Sequence, residues 1–190
     1  PLPDGRIARR PRAGGGAGGR AVRRRPPPQI RPPPRLIQLS AIRGISEEQA
    51  QFSPGEGQWN ILQVAEHVAT AERQMLAMWK KLASSGSAPR EKDTVIMAAQ
   101  GDRNKKNPSP ERSVPTGRFT SLRDAEKSFV ENREATMAAL SEAEDLRGKV
   151  VDHPLAGICD GYQLFLIMAL HPVRHVYQVE EIQAAPGYSK

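Results

Sequence analysis

Two of the four histidines in this 190-residue sequence, His171 and His175, lie four residues apart near its carboxyl end. In an α-helix, residues four apart project from the same face, one turn from each other. Two imidazoles placed in this way can bind one metal ion if a third ligand reaches it from a neighbouring helix. His67, in the middle of another strongly patterned segment, is the candidate for that third ligand. The spacing therefore predicts a metal site of three histidines.

Both segments place these histidines among apolar residues, since His171 and His175 share a helical face with apolar side chains and His67 lies on an apolar arc. These apolar neighbours are Leu164, Met168, Ile182 and Val68. Unpaired buried imidazoles are unfavourable, and a divalent ion at about 2.0–2.1 Å would be a shared partner. The alternative is that each ring is half-buried and bonded to a backbone carbonyl. Gln178, one turn after His175, is predicted to bond a ligand ring or a bound water.

Two further residues bear on this site. Pro172 has no N–H, so the carbonyl of Met168 loses its helical hydrogen bond, and a kink or bulge is expected between His171 and His175. His153 begins a turn over 153–157, ahead of the last helix. We interpret His153 as structural.

Helical periodicity dominates the sequence, and no alternation of apolar and polar residues predicts a strand. Asn60 with Gln63 and Asp160 with Gln163 have capping-box spacing, which marks the starts of two helices. The predicted helices cover about 36–43, 60–83, 94–103, 121–143 and 160–182. The loop between the third and fourth of these is long for a compact domain, which is typical of a segment that covers something. The pattern predicts an all-α, antiparallel four-helix bundle with a short first helix.

The basic charge of the chain is concentrated in residues 1–35, which hold ten arginines, one acid, nine prolines and six glycines. Such a segment cannot bury enough apolar surface to offset its ordering entropy, so it is predicted to be a disordered tail. Residues 36–190 hold 18 basic and 20 acidic side chains, so the domain, predicted over 36–185, is nearly neutral. Nucleic-acid binding is therefore not expected, although an arginine-rich arm is a hypothesis for the tail. Out-of-frame translation of GC-rich DNA is another hypothesis for its composition.

Cys159 is the single cysteine, which excludes an intrachain disulfide and favours a reducing compartment. The longest apolar run, 164–170, is much shorter than the roughly 20 residues of a membrane span. No apolar segment typical of a secretory signal follows the arginines. The expectation is a cytoplasmic protein without a membrane partner.

The sequence resembles the DinB-like (DinB/YfiT-type) family of four-helix-bundle metalloproteins, which includes metal-dependent hydrolases. The resemblance lies in residues 57–67 with Glu72, the 153–157 turn, 171–178, and 115–119, which is similar to the family's loop before its third helix. It extends over about residues 36–183. Family members usually begin with a helix of some twenty residues, whereas here a polyproline run ends at Pro34 and Gly44 follows. The first helix is thus expected to be largely absent or replaced by the tail.

The resemblance implies that His67, His171 and His175 bind a divalent ion such as Zn, Ni or Mn, and that the chain forms a homodimer. It implies a metal-dependent hydrolase or a thiol S-transferase that acts on a small molecule, with a low-molecular-weight thiol as cosubstrate. A non-catalytic metal-binding stress-response protein is the alternative. Glu66 and Glu72 are the carboxylates nearest to His67 in sequence, but neither has the helical position of an acid/base partner.

Overall fold

The computed structural model describes residues 41–81 and 84–189. The α-helices that lie wholly within these residues are α1 (Glu47–Gln51), α2 (Ile61–Lys80), α3 (Lys92–Gly101), α4 (Leu122–Ser141) and α5 (Gly161–Gln183). A 3-10 turn spans Glu111–Ser113 in the loop between α3 and α4. The architecture is all-α apart from a small sheet, and it confirms the predicted four-helix-bundle class.

The tail predicted over 1–35 and most of the helix predicted over 36–43 lie outside the described residues. Ala41 and Ile42 are helical, and the chain turns at Arg43 and Gly44. Gly44 has a φ of 80°, a left-handed conformation that glycine adopts without steric cost and that commonly ends a helix. The helix therefore ends at the predicted glycine.

The capping residues predicted for α2 and α5 begin both helices. Asn60 accepts the backbone N–H of Gln63, and the Gln63 side chain accepts the backbone N–H of Asn60 in return. Asp160 and Gln163 form the same reciprocal pair at the start of α5. Each pair satisfies two backbone donors that the first helical turn leaves without partners, so both starts are fixed by local sequence.

Two apolar clusters show that α2 and α5 run antiparallel. In α2 the first cluster precedes the second along the chain, whereas in α5 the order is reversed. The first cluster contains Ile61, Val64, Ala65, Leu122, Ala125, Val179 and Ile182. The second contains Ala71, Met75, Leu76, Leu164, Phe165, Leu166, Ile167 and Met168. Between the two clusters, both helices carry their histidines.

Three short strands correct the expectation that the chain has none. The strands β1 (Ser84–Ser85), β2 (Lys149–His153) and β3 (Gly157–Asp160) form an antiparallel sheet in the order β1-β2-β3. Burial along β2 and β3 is confined to His153, Cys159 and Asp160. Two of these three are polar, so the strands show no apolar alternation. The turn identified over 153–157 in the sequence connects β2 to β3.

Arg147 fixes α3 and the hairpin to the start of α5. Its guanidinium donates to Asp93 of α3 at 2.7 Å and to Asp160 at 2.9 Å. Gln163 donates to the same Asp93 carboxylate at 2.9 Å. This network holds α3 against α5, and α3 forms part of the wall of the cavity described below.

Among the described residues, no helix combines the length and apolar content required to cross a membrane.

Candidate metal centre

The antiparallel pairing of α2 and α5 brings His67, His171 and His175 together between the two apolar clusters. His67 and His175 are buried, with 5% and 7% of their surface exposed, and His171 is half-buried. One ring nitrogen from each histidine lies within 4.8 Å of the other two. The three residues predicted from spacing are thus neighbours in space.

The three rings point their Nε2 atoms toward one another. His171 Nε2 lies 3.2 Å from His67 Nε2 and 3.1 Å from His175 Nε2. The ring centroids of each pair are 4.5–5.0 Å apart. Three potential ligand atoms therefore converge on one small volume.

Hydrogen bonds to the other ring nitrogens define the tautomers of two rings. His67 Nδ1 lies 2.8 Å from the carbonyl oxygen of Ser113, and His175 Nδ1 lies 2.8 Å from Oε1 of Gln178. Because these oxygens only accept, Nδ1 carries the proton in both rings, and Nε2 presents a lone pair. His171, when neutral, carries at most one Nε2 proton. At most one of the two Nε2–Nε2 contacts is then a hydrogen bond.

Burial keeps the three imidazoles neutral. It lowers the pKa of His67 below its ordinary value of 6.5, although the hydrogen bond to Ser113 opposes this. Burial lowers the pKa of His171 and His175 well below 6.5, and the neighbouring histidines lower both further. Near pH 7 each ring is in the neutral form that binds a metal.

The donor set fits a divalent metal ion. Three nitrogens bound to one ion at about 2.0–2.1 Å are about 2.8–3.4 Å apart for bond angles between about 90° and 110°. The two Nε2–Nε2 distances fall within this range. A cation would also relieve the lone-pair contact that no hydrogen bond can satisfy. The three histidines could therefore hold a metal through Nε2, with Nδ1 of His67 and His175 oriented by Ser113 and Gln178.

Arg133 satisfies the carbonyl that Pro172 leaves without a helical donor. Its Nη2 donates to the Met168 oxygen at 2.9 Å and to Glu72 Oε2 at 3.0 Å. Helix α5 continues through Pro172, and the rings of His171 and His175 stay in contact. The anticipated disturbance at Pro172 does not separate the two rings.

The sequence neighbours of two candidate ligands anchor the long loop between α3 and α4. Glu66, next to His67, accepts the backbone N–H groups of Thr116, Gly117 and Arg118 at 2.7–3.1 Å. Arg174, next to His175, donates to the carbonyl oxygens of residues 99, 102 and 105. The loop thus carries the Ser113 carbonyl to His67, and Glu66 has a structural contact rather than an acid/base role.

The histidines open onto a large cavity, so a ligand could reach a metal bound there. The cavity has a volume of about 890 Å³, and the three histidines, Gln178 and His153 lie in its wall. His153 Nδ1 accepts the backbone N–H groups of Leu155 and Ala156, both at 3.2 Å. His153 closes its turn in this way, in line with its interpretation as structural.

Sequence reasoning missed Arg133, Arg174 and the Ser113 carbonyl. Arg133 lies four residues from both Phe129 and Met137, so it interrupts the apolar stripe of α4, and this was a usable signal. Arg174 offered a weaker one, as a cation between two inward-facing histidines. The Ser113 contact involves only the backbone, which no side-chain pattern can reveal.

Comparisons with known proteins agree with this fold. The family model of the DinB superfamily matches residues 36–179. The chain is also 25% identical over 151 residues to the uncharacterized protein YuaE of Bacillus subtilis (strain 168). The aligned region covers 78% of this chain and 92% of YuaE. No solved structure matched the chain. Since the family match spans most of the sequence and nearly all of the described bundle, the chain belongs to the DinB superfamily.

Proposed function

We propose that the chain binds a divalent metal, Zn, Ni or Mn, through His67, His171 and His175. We propose further that it acts as a metal-dependent hydrolase or thiol S-transferase on a small molecule. The observation that supports this is the convergence of three Nε2 atoms at the wall of a cavity of about 890 Å³. Such a volume suits a small organic substrate.

A metal with an open coordination position lowers the pKa of a bound water or thiol and so supplies a nucleophile near neutral pH. The chain's own contribution is to hold three neutral imidazoles in place. Ser113 and Gln178 orient the rings of His67 and His175. Arg133 supports α5, the helix that carries His171 and His175. Trp59 packs on His67, with ring centroids 4.9 Å apart.

Metal analysis of His171→Ala tests the site, with His153→Ala as the matched control. Both histidines lie in the wall of the same cavity, but His153 Nδ1 is occupied by two backbone donors. We expect His171→Ala to lose most of the bound metal, as measured by mass spectrometry of the purified chain, and His153→Ala to retain it. Equal metal content in the two variants would contradict the proposal, provided that circular dichroism shows both to be folded.

A non-catalytic metal-binding stress-response protein is the second candidate, and one observation favours it. Glu66 accepts three backbone N–H groups and Glu72 is paired with Arg133, so neither is free to move a proton. Among the described residues of the cavity wall, Glu181 is the single acidic residue, and Arg103 donates to its carboxylate in two contacts of 2.8 and 3.0 Å. A thiol transfer needs less from a carboxylate than a hydrolysis does, because a metal-bound thiol ionises readily.

Transfer assays separate the two candidates. The metal-loaded chain is incubated with a small thiol and an electrophilic acceptor, with metal-free chain and His171→Ala as controls. Thiol consumption that depends on metal and on His171 supports the enzyme. Full metal occupancy without turnover in any transfer or ester-hydrolysis assay supports the passive binder.

A further inference from the structure

The wall of the histidine cavity concentrates positive charge in a domain that is otherwise close to neutral. Residues 36–190 hold 18 basic and 20 acidic side chains. Among the described residues of the wall, five are basic and one, Glu181, is acidic. The basic residues are Lys81, Arg103, Lys106, Arg112 and Arg174. A cleft lined by one sign of charge attracts ligands of the opposite sign.

Two of these five cations are already engaged within the protein. Arg174 is buried and donates to three backbone carbonyls, that of Ala99 in α3 and those of residues 102 and 105 in the loop that follows. Arg103 forms a bidentate pair with Glu181, which neutralises it. The charge available to a ligand therefore comes from the other three residues.

Lys81, Lys106 and Arg112 are exposed, and among the described residues none of them lies within ion-pair distance of a carboxylate. Lys81 directly follows α2, fourteen residues after His67, which is roughly 20 Å along the helix. Lys106 and Arg112 both belong to the loop between α3 and α4. Each of the two is adjacent in sequence to a residue whose carbonyl bonds His67 or Arg174.

Backbone contacts tie the two loop segments that carry Arg112 and Lys106 to residues at or beside the histidines. Arg112 precedes Ser113, whose carbonyl bonds His67, and the Arg112 carbonyl itself accepts from Gln74. Lys106 follows the residue whose carbonyl Arg174 binds, beside His175. Their backbones are therefore held, and their side chains extend from fixed points on the cavity wall.

The remaining wall contains amide side chains such as Gln74 and Asn107, hydroxyl side chains, and a larger apolar part, which suits an apolar ligand body. The apolar part includes Met75, Met78, Ile96, Leu155 and Ile167. A ligand that fills this cavity combines an apolar body with a negative group, since apolar walls contribute area and a few charged groups set orientation. Arg and Lys both bind carboxylate and phosphate oxygens.

We propose that the cavity takes small organic anions, an apolar body that carries a carboxylate or a phosphate, with Lys106 and Arg112 as the residues that bind the negative group. This inference rests on the proposed function because it names the substrate class of the same site. It concerns recognition of the ligand and adds no chemical step.

Binding of matched probes tests this. The probes are 4-phenylbutyrate and 4-phenylbutanol, which differ in charge but share an apolar body, measured by calorimetry on metal-loaded and metal-free full chain. We expect the anion to bind more tightly than the alcohol in both forms. Lys106→Glu/Arg112→Glu is expected to weaken the anion at least about tenfold, as reversal of two exposed charges allows, and to leave the alcohol unchanged.

The control is Arg123→Glu/Lys127→Glu, the same charge reversal on exposed positions of α4 outside the cavity wall. An equal loss of anion affinity in both double variants would mean that only net charge matters, and would overturn the proposal. Unchanged anion affinity in Lys106→Glu/Arg112→Glu, or no binding of the anion to the wild type, would overturn it as well. Metal content is measured on the same samples, so failure of the metal site with retained anion preference contradicts the proposed function and not this inference.

Discussion

Removal of Arg133 tests whether this cation supports the helix that carries His171 and His175. The Arg133 and Glu72 side chains are 11% and 1% exposed, and their charged atoms lie 3.0 Å apart. Arg133→Met keeps much of the side-chain length but leaves the Glu72 carboxylate buried without its cation. It also leaves the Met168 carbonyl, 2.9 Å from Arg133 Nη2, without a donor, because Pro172 supplies none.

The expected loss in the free energy of unfolding is about 3–5 kcal/mol at pH 8, the usual cost when one partner of a buried ion pair is removed. The loss depends on pH through Glu72. Burial raises the pKa of Glu72 above its ordinary value of 4.5, and Arg133 opposes this increase. Without Arg133 the pKa of Glu72 rises further in the folded state. Below about pH 4.5 Glu72 is protonated in both states, and its burial costs the variant little. As the pH rises through the raised pKa of the folded state, the variant loses stability because the buried carboxyl must ionise. The variant should therefore lose less at pH 5 than at pH 8.

Urea denaturation followed by circular dichroism at both pH values measures these losses. Two further variants divide the effect between the two groups. Glu72→Gln/Arg133→Met removes the buried charge, so its loss relative to the wild-type chain should no longer differ between the two pH values through Glu72. Pro172→Ala restores an N–H for the Met168 carbonyl, so Arg133→Met should cost about 1–3 kcal/mol less in that background. A loss below about 1 kcal/mol at pH 8 for Arg133→Met, or the same loss at pH 5, would refute this reasoning.

Three further outcomes are expected. Gln178→Leu should lower metal affinity about 10–100-fold in competition titrations, because His175 loses its acceptor, whereas Gln178→Glu keeps an acceptor and should keep the affinity. Glu66→Gln should lower the free energy of unfolding by about 1.5–3 kcal/mol and speed hydrogen exchange of the backbone amides of 116–118, because the new amide NH2 faces backbone donors. Unchanged exchange would argue against Glu66 as the anchor of this loop. Since burial lowers the pKa of the three histidines, the metal-free chain should lose stability as the pH falls below 6.5, and a flat urea midpoint from pH 8 to 5 would contradict the neutral rings.

Several features could be predicted because they depend on residues close together in sequence. The capping boxes at Asn60 and Asp160 act within one helical turn, and both were found where the spacing placed them. The pair His171 and His175 shares a face because of helix geometry alone. The hairpin was missed because its strands bury mostly polar residues, so periodicity carried no signal for it. The homodimer, the cytoplasmic location and the domain limits of 36–185 stay predictions.

The role of each charged residue near the site could not be predicted in this way. Glu66, Glu72 and Arg174 bind partners that lie at least 50 residues away along the chain. Whether a carboxylate transfers a proton or anchors a loop depends on which donors face it, and those donors come from other elements. The same holds for Lys106 and Arg112, which line the cavity only because the loop returns to it.

The sequence by itself determined the helical periodicity, the helix starts and the two-histidine face of α5, since all three follow from residues within a few turns. The tertiary structure decided that His67 meets this face, because only the antiparallel pairing of α2 and α5 brings residues 67 and 171 within 3.2 Å between their Nε2 atoms. It also decided that Arg133, from a third helix, compensates for Pro172. A carbonyl without its donor is a local consequence of sequence, but the group that satisfies it depends on the packing of the whole bundle.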